Sequence, residues 1–433
     1  MKKLLALVLA LTMALSLAAC GGGGEEAAPE GGEDAAESGA VALDIIISQY
    51  GNKTAEWWKQ FETDFEAANE GIDLNIEIVS WNDIYSVVNT RIGSNSQPDI
   101  LNISGFADYV ADDLLMPAEE YVSEATKSNL VPSFWESNAI DGTVWALPIL
   151  ASCRALFVND DVLAQAGVAV PKTWDDVMTA CAAIKEKCPG ITPWALDIST
   201  DEGQAAFSYY AWNFGGGFVD ANGEWALNTP ENAAAVNYIA ELYNSGYCNA
   251  NPATDTRYPL QDAFNAGSLA MMIGPFNMTT ADTAVKYTVA DLPTNMEKST
   301  ALGVCDQLMV FKDEDAENQE ARTAAITKFF DAFYEMDTYS NYMVFEGFLP
   351  ATLDASEHLA AHASDYTDWN GDPGRNDFFA NFGAMLPACQ FYPMQKAEWM
   401  DVRNGVIDVE QQVATGLTTA EEALEALQAK VAG

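Results

Sequence analysis

Basic residues are scarce in this sequence. Its 433 residues include 20 Lys and Arg against 64 Asp and Glu, so the formal net charge is −44 at pH 7 with His neutral. A chain this acidic repels nucleic acid and anionic lipid head groups, and no nucleic-acid partner is expected. An acidic or saline habitat would select the same composition, so the charge by itself identifies no ligand.

Motifs of nucleotide and acyl-transfer enzymes are also missing. There is no Gly-x-x-x-x-Gly-Lys loop and no Gly-x-Ser-x-Gly turn, which removes the usual residues for phosphate binding and serine catalysis. The run Gly215–Gly217 lacks the third glycine of a dinucleotide loop and predicts a flexible turn. The sequence therefore predicts a protein that is not an enzyme and needs no cofactor.

Histidine is limited to His358 and His362, four residues apart. That spacing could bind zinc from one helix face, but the zinc-protease helix needs Glu after the first His and Leu359 is there instead. Two histidines on an exposed helix face explain the pattern better, and no metal site is predicted.

Cysteines do not follow a metal or redox spacing. Six lie beyond Cys20, and none forms a Cys-x-x-Cys pair. Cys181 and Cys188 fall in a helical apolar pattern, which favours small buried side chains. An exported location would permit disulfides, but the spacing alone selects no pair.

Long apolar runs are confined to the start of the chain. Lys2 and Lys3 precede an apolar stretch from Leu4 to Leu17, which is typical of an export signal. The sequence Leu17-Ala-Ala-Cys20 resembles the bacterial lipobox. We expect residues 1–19 to be a signal peptide and Cys20 to be lipidated, with two or three acyl chains anchoring the protein stably to the outer face of the cytoplasmic membrane.

Residues 20–40 are predicted to be a tether. Positions 21–40 contain seven glycines, six acidic residues and neither Lys nor Arg. Such a segment cannot bury enough apolar surface to fold, so we expect a disordered, acidic, Gly-rich linker between the lipidated Cys20 and the body.

The body shows an alternation of strands and helices. Val41–Ser48 reads as a buried strand, residues 54–69 as an amphipathic helix, and residues 72–78 as an alternating strand. Strand, helix and strand in this order predict a parallel crossover. Thr173 with Asp176, and likewise Ser80 with Asp83 and Thr418 with Glu421, predict capped helix starts.

Seven short motifs follow one another along the body. They are Gln97-Pro-Asp-Ile100, Asp141-Gly-Thr-Val-Trp-Ala-Leu-Pro148, Ala155-Leu-Phe-Val-Asn-Asp160, Ala166-Gly167 followed by Pro171-Lys-Thr-Trp-Asp175, Phe264-Asn-Ala-Gly-Ser-Leu-Ala-Met271, Ile273-Gly-Pro-Phe276 and Gly347-Phe-Leu-Pro350. In this order they resemble the motifs of the extracellular solute-binding protein family 1 of ABC importers, the sugar-binding group that includes maltose-binding protein. The resemblance covers nearly the whole body.

The resemblance implies an α/β, two-lobed, type II periplasmic-binding-protein-like fold with parallel or mixed sheets flanked by helices and three hinge crossings. Lobe 1 would comprise 41–151 plus 304–349, and lobe 2 would comprise 152–303 plus 350–433. The crossings would lie near 150–154, 302–306 and 347–352. The expected protein is a monomer that captures a mono- or oligosaccharide between its lobes and delivers it to the permease subunits.

The resemblance also implies site residues. Trp399 and Arg403, four apart on one helix, match a Trp and an Arg that line the cleft of maltose-binding members, and would form a stacking platform beside a hydroxyl clamp. Phe276 stands where those members have a stacking Trp, and Ser152 where they have a ligand-binding Glu. These departures imply a different sugar.

Other candidates follow from their placement near the ends of strands, where ligands of open α/β sheets collect. For most of them a capping or turn role is equally compatible with the sequence. Trp81 and Trp174 are assigned to structure. These further ligand-binding candidates are Gln49, Tyr50, Asn52, Asn102, Ser104, Trp194, Asp197 and Asp306.

Two other functions remain open. Arg403 could pair with a carboxylate as well as with hydroxyls, so a receptor for a peptide, polyamine or organic anion is an alternative. A secreted carbohydrate-active enzyme is a further alternative, although no spacing selects a catalytic pair among the 64 carboxylates.

Overall fold

The computed structural model describes residues 41–275, 278–279, 283–313, 318–362 and 389–431. Its strands are β1 Val41–Ser48, β2 Ile72–Val79, β3 Ile100–Ile103, β4 Ala139–Ile140, β5 Thr143–Val144, β6 Ala146–Cys153, β7 Ala155–Asn159, β8 Thr192–Trp194, β9 Leu269–Gly274, β10 Tyr287–Ala290 and β11 Gly303–Val310. Its α-helices are α1 Thr54–Ala68, α2 Ile84–Gly93, α3 Ala107–Ala111, α4 Glu124–Asn129, α5 Pro132–Ser137, α6 Asp160–Ala166, α7 Trp174–Lys187, α8 Gly203–Phe214, α9 Pro230–Asn244, α10 Arg257–Asn265, α11 Gln319–Phe333, α12 Met336–Glu346, α13 Leu353–His362, α14 Trp399–Ala414 and α15 Ala420–Val431.

Lobe 1 is built on a five-stranded sheet in the order β2-β1-β3-β11-β6. The parallel pairing of β1 with β2 confirms the predicted crossover through α1. Alternate side chains of β1 enter different cores, with Ile45 and Ile47 on one face and Ile46 on the other. Because both faces are covered, β1 is apolar almost throughout.

Lobe 2 is built on a four-stranded sheet in the order β10-β7-β9-β8. Trp174 is fully buried in its core, where its ring lies 4.6 Å from that of Tyr210 and 5.4 Å from that of Tyr238. This packing agrees with the structural role that the sequence predicts for Trp174.

Two crossings between the lobes lie side by side. β6 and β11 are antiparallel partners, with Cys153 opposite Gly303. Immediately beyond this pair the chain enters lobe 2 along β7, and the Arg154 amide donates to the carbonyl oxygen of Leu302 over 2.9 Å. These positions agree with the predicted crossings near 150–154 and 302–306.

The segment after α12 stays beside lobe 1. Leu349 pairs with Ala151 next to the first crossing, and Thr352 pairs with Leu130 of lobe 1. Helix α13 follows and packs on α12, with Leu359 in the lobe 1 core. The described chain resumes beside the second crossing, where Gln390 pairs with Leu302. The division of the chain at 349/350 stays a prediction.

Local capping explains several helix starts. The Thr173 hydroxyl accepts from the Asp176 amide and the Asp176 carboxylate accepts from the Thr173 amide, which confirms the predicted capping box of α7. The prediction for Ser80 is wrong, because its carbonyl closes a turn and α2 begins only at Ile84. At α15 the Thr419 hydroxyl, one residue later than predicted, caps the helix.

The loop Gly215–Gly217 is a turn whose backbone is clamped by the side chain of Asn232. Asn232 accepts from the Gly217 amide over 2.8 Å and donates to the carbonyl oxygens of Gly217 and Leu227. Gly215 has a φ of +94°, in the left-handed region. A Cβ on Gly216 would lie 2.2 Å from Asn232 Oδ1, so the clamp requires glycine there.

No helix among the described residues is long and apolar enough to span a bilayer.

Replacing Asn232, whose side chain clamps the Gly215–Gly217 turn, should destabilise lobe 2. Asn232→Ala leaves buried backbone groups of the glycine loop without partners, and we expect the free energy of unfolding to fall by roughly 2–4 kcal/mol. Asn237→Ala, at an exposed position of the same helix, is the control and should change it by less than about 0.5 kcal/mol. Urea denaturation measures both, and equal effects would contradict the importance of the clamp.

Candidate ligand-binding cleft

A cleft of about 540 Å³ lies between the lobes, beside the crossing strands. Lobe 1 and the crossings contribute one wall and the floor, and lobe 2 contributes the other wall. The residues that line the cleft are Tyr50, Trp81, Tyr85, Ser104, Ser152, Arg154, Asp201, Glu202, Gln204, Arg257, Pro275, Val304, Asp306, Phe348, Tyr392 and Arg403.

The lobe 1 wall is aromatic, and two of its three rings follow the carboxyl ends of the parallel strands β1 and β2. Tyr50 follows β1, Trp81 follows β2, and Phe348 follows α12. The Tyr50 ring meets Trp81 edge to face at 5.8 Å and Phe348 at 5.1 Å. These contacts fix the rings as a rigid apolar surface of the kind that covers the C–H face of a ring-shaped ligand.

A carboxyl group lies at the base of this wall. Asp306, on β11, accepts a hydrogen bond from the Tyr50 hydroxyl over 3.0 Å. Burial raises the pKa of Asp306 to about 6. The group therefore changes between a hydroxyl donor and a carboxylate acceptor in the mildly acidic range.

The lobe 2 wall contains a buried ion cluster. Glu202 Oε1 lies 2.8 Å from Arg154 Nη2 and 3.2 Å from Arg257 Nε. Arg154 also donates through Nε to the Tyr209 hydroxyl over 3.1 Å. Arg154 comes from the first crossing, whereas Glu202 precedes α8 and Arg257 opens α10, so the cluster joins three separate segments.

Charge pairing decides the ionisation of this cluster. Burial opposes ionisation of Glu202, but Arg154 and Arg257 together hold its pKa below the usual value. Neighbouring Asp201 has the opposite shift, because burial raises its pKa more than Arg257 lowers it. Both arginines thus share the single carboxylate of Glu202, and removing that carboxylate would leave buried charge without its partner.

Arg403 enters the cleft from α14 with mostly neutral contacts. Its Nη2 donates to the Thr200 carbonyl oxygen over 2.6 Å and its Nη1 to Asn404 Oδ1 over 3.0 Å. Its Cζ lies 4.3 Å from the ring centre of Tyr85, which belongs to lobe 1. The guanidinium is therefore held between the lobes by stacking and carbonyl contacts.

The two lobes touch across the cleft, so the structure is closed. Hydrogen bonds join Tyr258 Oη to the Gln49 carbonyl over 2.9 Å, Thr200 Oγ1 to Asn82 Oδ1 over 3.0 Å, the Glu398 amide to Asp108 Oδ1 over 3.3 Å, and Gln395 Nε2 to the Ser137 carbonyl over 2.5 Å. A small polar molecule within the cleft would be covered from both sides.

Five of the residues predicted from the sequence line this cleft. Tyr50, Ser104 and Asp306 lie on the lobe 1 side, Ser152 on the first crossing and Arg403 on the lobe 2 side. Their roles toward a ligand stay predictions, but the structure brings them to one place.

Trp399 is not among the residues that line the cleft and is buried where the lobes meet. Its ring centre lies 5.0 Å from that of Tyr392 and 5.4 Å from that of Phe218 in lobe 2. On the other side, its Cδ1 would lie 3.4 Å from a Cβ on Gly105 of lobe 1. Tyr392 is the neighbouring ring that lines the cleft. The ligand-binding role of Trp399 stays a prediction.

Three other candidates lie outside the lining. Asn102 is fully buried and bonds the Ser48 amide and the Gln307 carbonyl, so it holds β1, β3 and β11 together. The side chain of Gln49 bonds the carbonyl of Gly51, and Asn52 is exposed.

Trp194 and Asp197 line a second cavity of about 390 Å³ inside lobe 2, which shares Glu202 and Arg257 with the cleft. The Trp194 indole donates to the Tyr210 hydroxyl over 3.0 Å. Burial raises the pKa of Asp197. These residues therefore lie one layer behind the cleft. Phe276 and Cys20 lie outside the described residues.

Sequence reasoning missed most of the lobe 2 wall. Arg154, Glu202, Arg257 and Tyr392 were not predicted, and Trp81 was assigned to structure although it lines the cleft. The signal that could have indicated the arginines is the shortage of cations, because a basic residue within an apolar pattern is unusual in so acidic a chain.

The described residues include no group of three or more His, Cys, Asp or Glu side chains that could hold a metal ion. His358 and His362 stack on each other, with ring centres 5.0 Å apart.

Two lobes joined by paired crossings around an aromatic and polar cleft define a two-lobed solute-binding protein. The family model described as "Bacterial extracellular solute-binding protein" matches residues 32–338. The chain belongs to this family, which confirms the predicted family and two-lobed fold. Membership of an extracellular family implies that the protein is exported.

The sequence identity between this chain and individual relatives is low. A binding protein of Brucella abortus is 27% identical over 371 residues, covering 83% of this chain and 84% of the relative. The maltose-bound protein of T. maritima has a TM-score of 0.76 at 18% identity, covering 90% of this chain and 99% of that one. A substrate-binding protein of Listeria monocytogenes in complex with cycloalternan has a TM-score of 0.74 at 18% identity, covering 90% and 98%.

Replacing Asp306 should change how stability depends on pH. The folded-state pKa of about 6 lies above the ordinary value of 3.8, so the folded protein holds this proton more tightly and loses stability as pH rises from about 4 to 6. In Asp306→Asn this loss, about 3 kcal/mol, should be absent.

Urea denaturation at a series of pH values measures this difference. Asp112→Asn, at an exposed position of lobe 1, is the matched control and should follow the wild-type profile. A constant difference between wild type and Asp306→Asn from pH 4 to pH 7 would contradict the buried titration.

Proposed function

We propose that this protein is the substrate-binding component of an ABC importer and that it captures a carbohydrate between its lobes. The observation that carries the proposal is the pairing of an aromatic wall, Tyr50, Trp81 and Phe348, with polar groups on the opposite wall and at its base. Sugar rings have apolar C–H faces and polar edges, and this arrangement suits both.

The polar groups of the cleft also support a polyhydroxyl ligand. Arg154 and Arg257 each contact Glu202 inside the wall, so each has an ionic partner within the protein. Asp306 and Ser152 can bond hydroxyl groups without an ionic partner. The relatives add support, since the T. maritima protein binds maltose, the Listeria monocytogenes protein binds cycloalternan, and a Streptomyces coelicolor relative is a diacetylchitobiose binding protein.

In this proposal Trp81 and Tyr392 stack on the sugar ring, which is the role that the sequence suggests for Trp399. Trp399 packs against Tyr392, with the ring centres 5.0 Å apart. Arg403 supplies donors at the cleft edge and contacts Tyr85 of the other lobe, so it can respond to both ligand and closure.

A receptor for an organic anion is the second candidate, and Arg403 is the observation that favours it. Its hydrogen bonds among the described residues are to a carbonyl and an amide oxygen, so a ligand carboxylate would give it an ionic partner. The net charge of −44 opposes this reading through long-range repulsion.

A thermal-shift screen distinguishes these functions. Oligosaccharides, organic acids, peptides and polyamines are tested, and a ligand at 100 times its Kd should stabilise the protein by about 2.7 kcal/mol. Stabilisation by a sugar supports the proposal, and stabilisation by organic acids alone supports the second candidate. Release of smaller sugars from an oligosaccharide, followed by chromatography, would indicate an enzyme instead.

Variants test the cleft with the sugar that the screen identifies. Trp81→Ala should lose most of the ligand-induced shift while keeping its melting temperature without ligand within a few degrees. Trp135→Ala, whose ring contacts Lys127 on lobe 1 away from the cleft, is the matched control and should keep the shift. An unchanged shift in Trp81→Ala would place the ligand elsewhere.

The proposal extends to the attachment of the protein. Cys20 is lipidated after removal of residues 1–19, residues 21–40 are the tether, and the receptor works as a monomer that presents its closed lobes to permease subunits in the same membrane. The lipobox-like Leu17-Ala-Ala-Cys20 and the acidic glycine-rich segment after it support this arrangement.

Cys20→Ala tests the anchor in cells. The variant should lose incorporation of labelled fatty acid and leave the detergent phase in a detergent partition, because no acyl chain can be attached. Cys248→Ala, which keeps Cys20, should behave as wild type. Retention of the label by Cys20→Ala would contradict lipidation at this residue.

A further inference from the structure

Two cysteines meet where the lobes join. Cys153 is the last residue of β6, fully buried at the first crossing. Cys389 is the residue before Gln390, which pairs with Leu302 at the second crossing. The two thiols thus belong to separate segments that both adjoin the start of β11.

Gly303 leaves room for the side chains of Cys153 and Cys389. It is the partner of Cys153 in the β6–β11 ladder, and its amide donates to the Gln390 carbonyl over 2.8 Å on the other side. A Cβ on Gly303 would lie 2.9 Å from the Cys389 Cβ and 2.7 Å from the Phe391 ring. Because glycine has no side chain, those of Cys153 and Cys389 can meet above it.

The thiols are in contact and differ in exposure. A hydrogen bond joins their side chains, and it raises the pKa of Cys153 and lowers that of Cys389. Cys389 is also partly exposed, whereas Cys153 is not. A partly exposed thiol of lowered pKa is the one that attacks a disulfide from solution.

We propose that Cys153 and Cys389 form a reversible disulfide above Gly303, tying together the segments that connect the lobes. The oxidant is a small-molecule disulfide, RSSR. The Cys389 thiolate attacks one sulfur, forming a mixed disulfide and releasing RS⁻. Cys153 then loses its proton and attacks the Cys389 sulfur, forming the protein disulfide and releasing the second thiolate. Two protein thiols are oxidised and one RSSR is reduced to two RSH.

The bond would act on the hinge. Lobe opening requires changes of backbone angle in the crossings, and a covalent link across the start of β11 limits how far these segments can separate. An exported protein meets oxidising conditions, in which such a bond persists. This inference concerns the crossings and does not depend on the identity of the ligand.

Other cysteines provide internal controls. Cys181 and Cys188 are buried on α7 in the lobe 2 core, and burial raises the pKa of Cys181 above the usual range of a reactive thiol. They should remain thiols under conditions that oxidise the hinge pair.

The experiment is a peptide map of the full mature chain after incubation with oxidised glutathione. The native protein is treated, alkylated, digested without reduction and analysed by mass spectrometry. We expect a peptide pair linked through Cys153 and Cys389 that disappears when the sample is reduced first. Cys153→Ser should instead retain glutathione on Cys389, because no resolving thiol is present, and Cys181→Ser should match wild type.

A thermal melt adds a readout that needs no variant. Oxidised wild type should melt several degrees higher than reduced wild type, and Cys389→Ser should show no such difference. Glutathione that stays on Cys389 in wild type, linkage of either cysteine to another partner, or no reaction at either site would each overturn the proposal.

Discussion

The antiparallel ladder between β6 and β11 is the constraint from which the rest of the architecture follows. Both strands belong to the lobe 1 sheet, and both run straight into the other lobe with Cys153 opposite Gly303. Backbone hydrogen bonds therefore set the spacing of the two crossings, whatever the side chains. Ser152 of β6 and Asp306 of β11 lie at the floor of the cleft, so the same two paired strands form part of the hinge and part of the candidate site.

A second constraint comes from charge. The chain has 20 basic residues against 64 acidic ones, and several of its arginines are buried. A buried guanidinium charge needs a partner of opposite charge or hydrogen-bond acceptors. Arg154, Glu202 and Arg257 achieve this by drawing together the first crossing and the starts of two lobe 2 helices. The wall of the cleft is consequently held by ion pairing, while the facing wall is held by edge-to-face contacts of Tyr50 and its neighbours. Two unrelated kinds of interaction thus fix the two sides of one site.

Periodicity and ordered motifs predicted the fold well because β1, α1 and β2 depend on local patterns that each segment carries by itself. The capping box at Thr173 is equally local and was predictable to the residue. The ion cluster was not, since Arg154 and Glu202 are 48 positions apart and meet only after lobe 2 has folded. For Trp399 the spacing indicated the helix face but not how deeply the side chain is buried, because that depth depends on Tyr392 from a separate segment.

The contacts between the closed lobes have a consistent direction. In the hydrogen bonds that Tyr258, Thr200, Gln395 and the Glu398 amide make across the cleft, lobe 2 provides the donor and lobe 1 the acceptor. The Arg403 cation over the Tyr85 ring follows the same direction. When the lobes separate, these lobe 1 oxygen atoms and the Tyr85 ring lose their lobe 2 partners, and water must replace those partners on both rims.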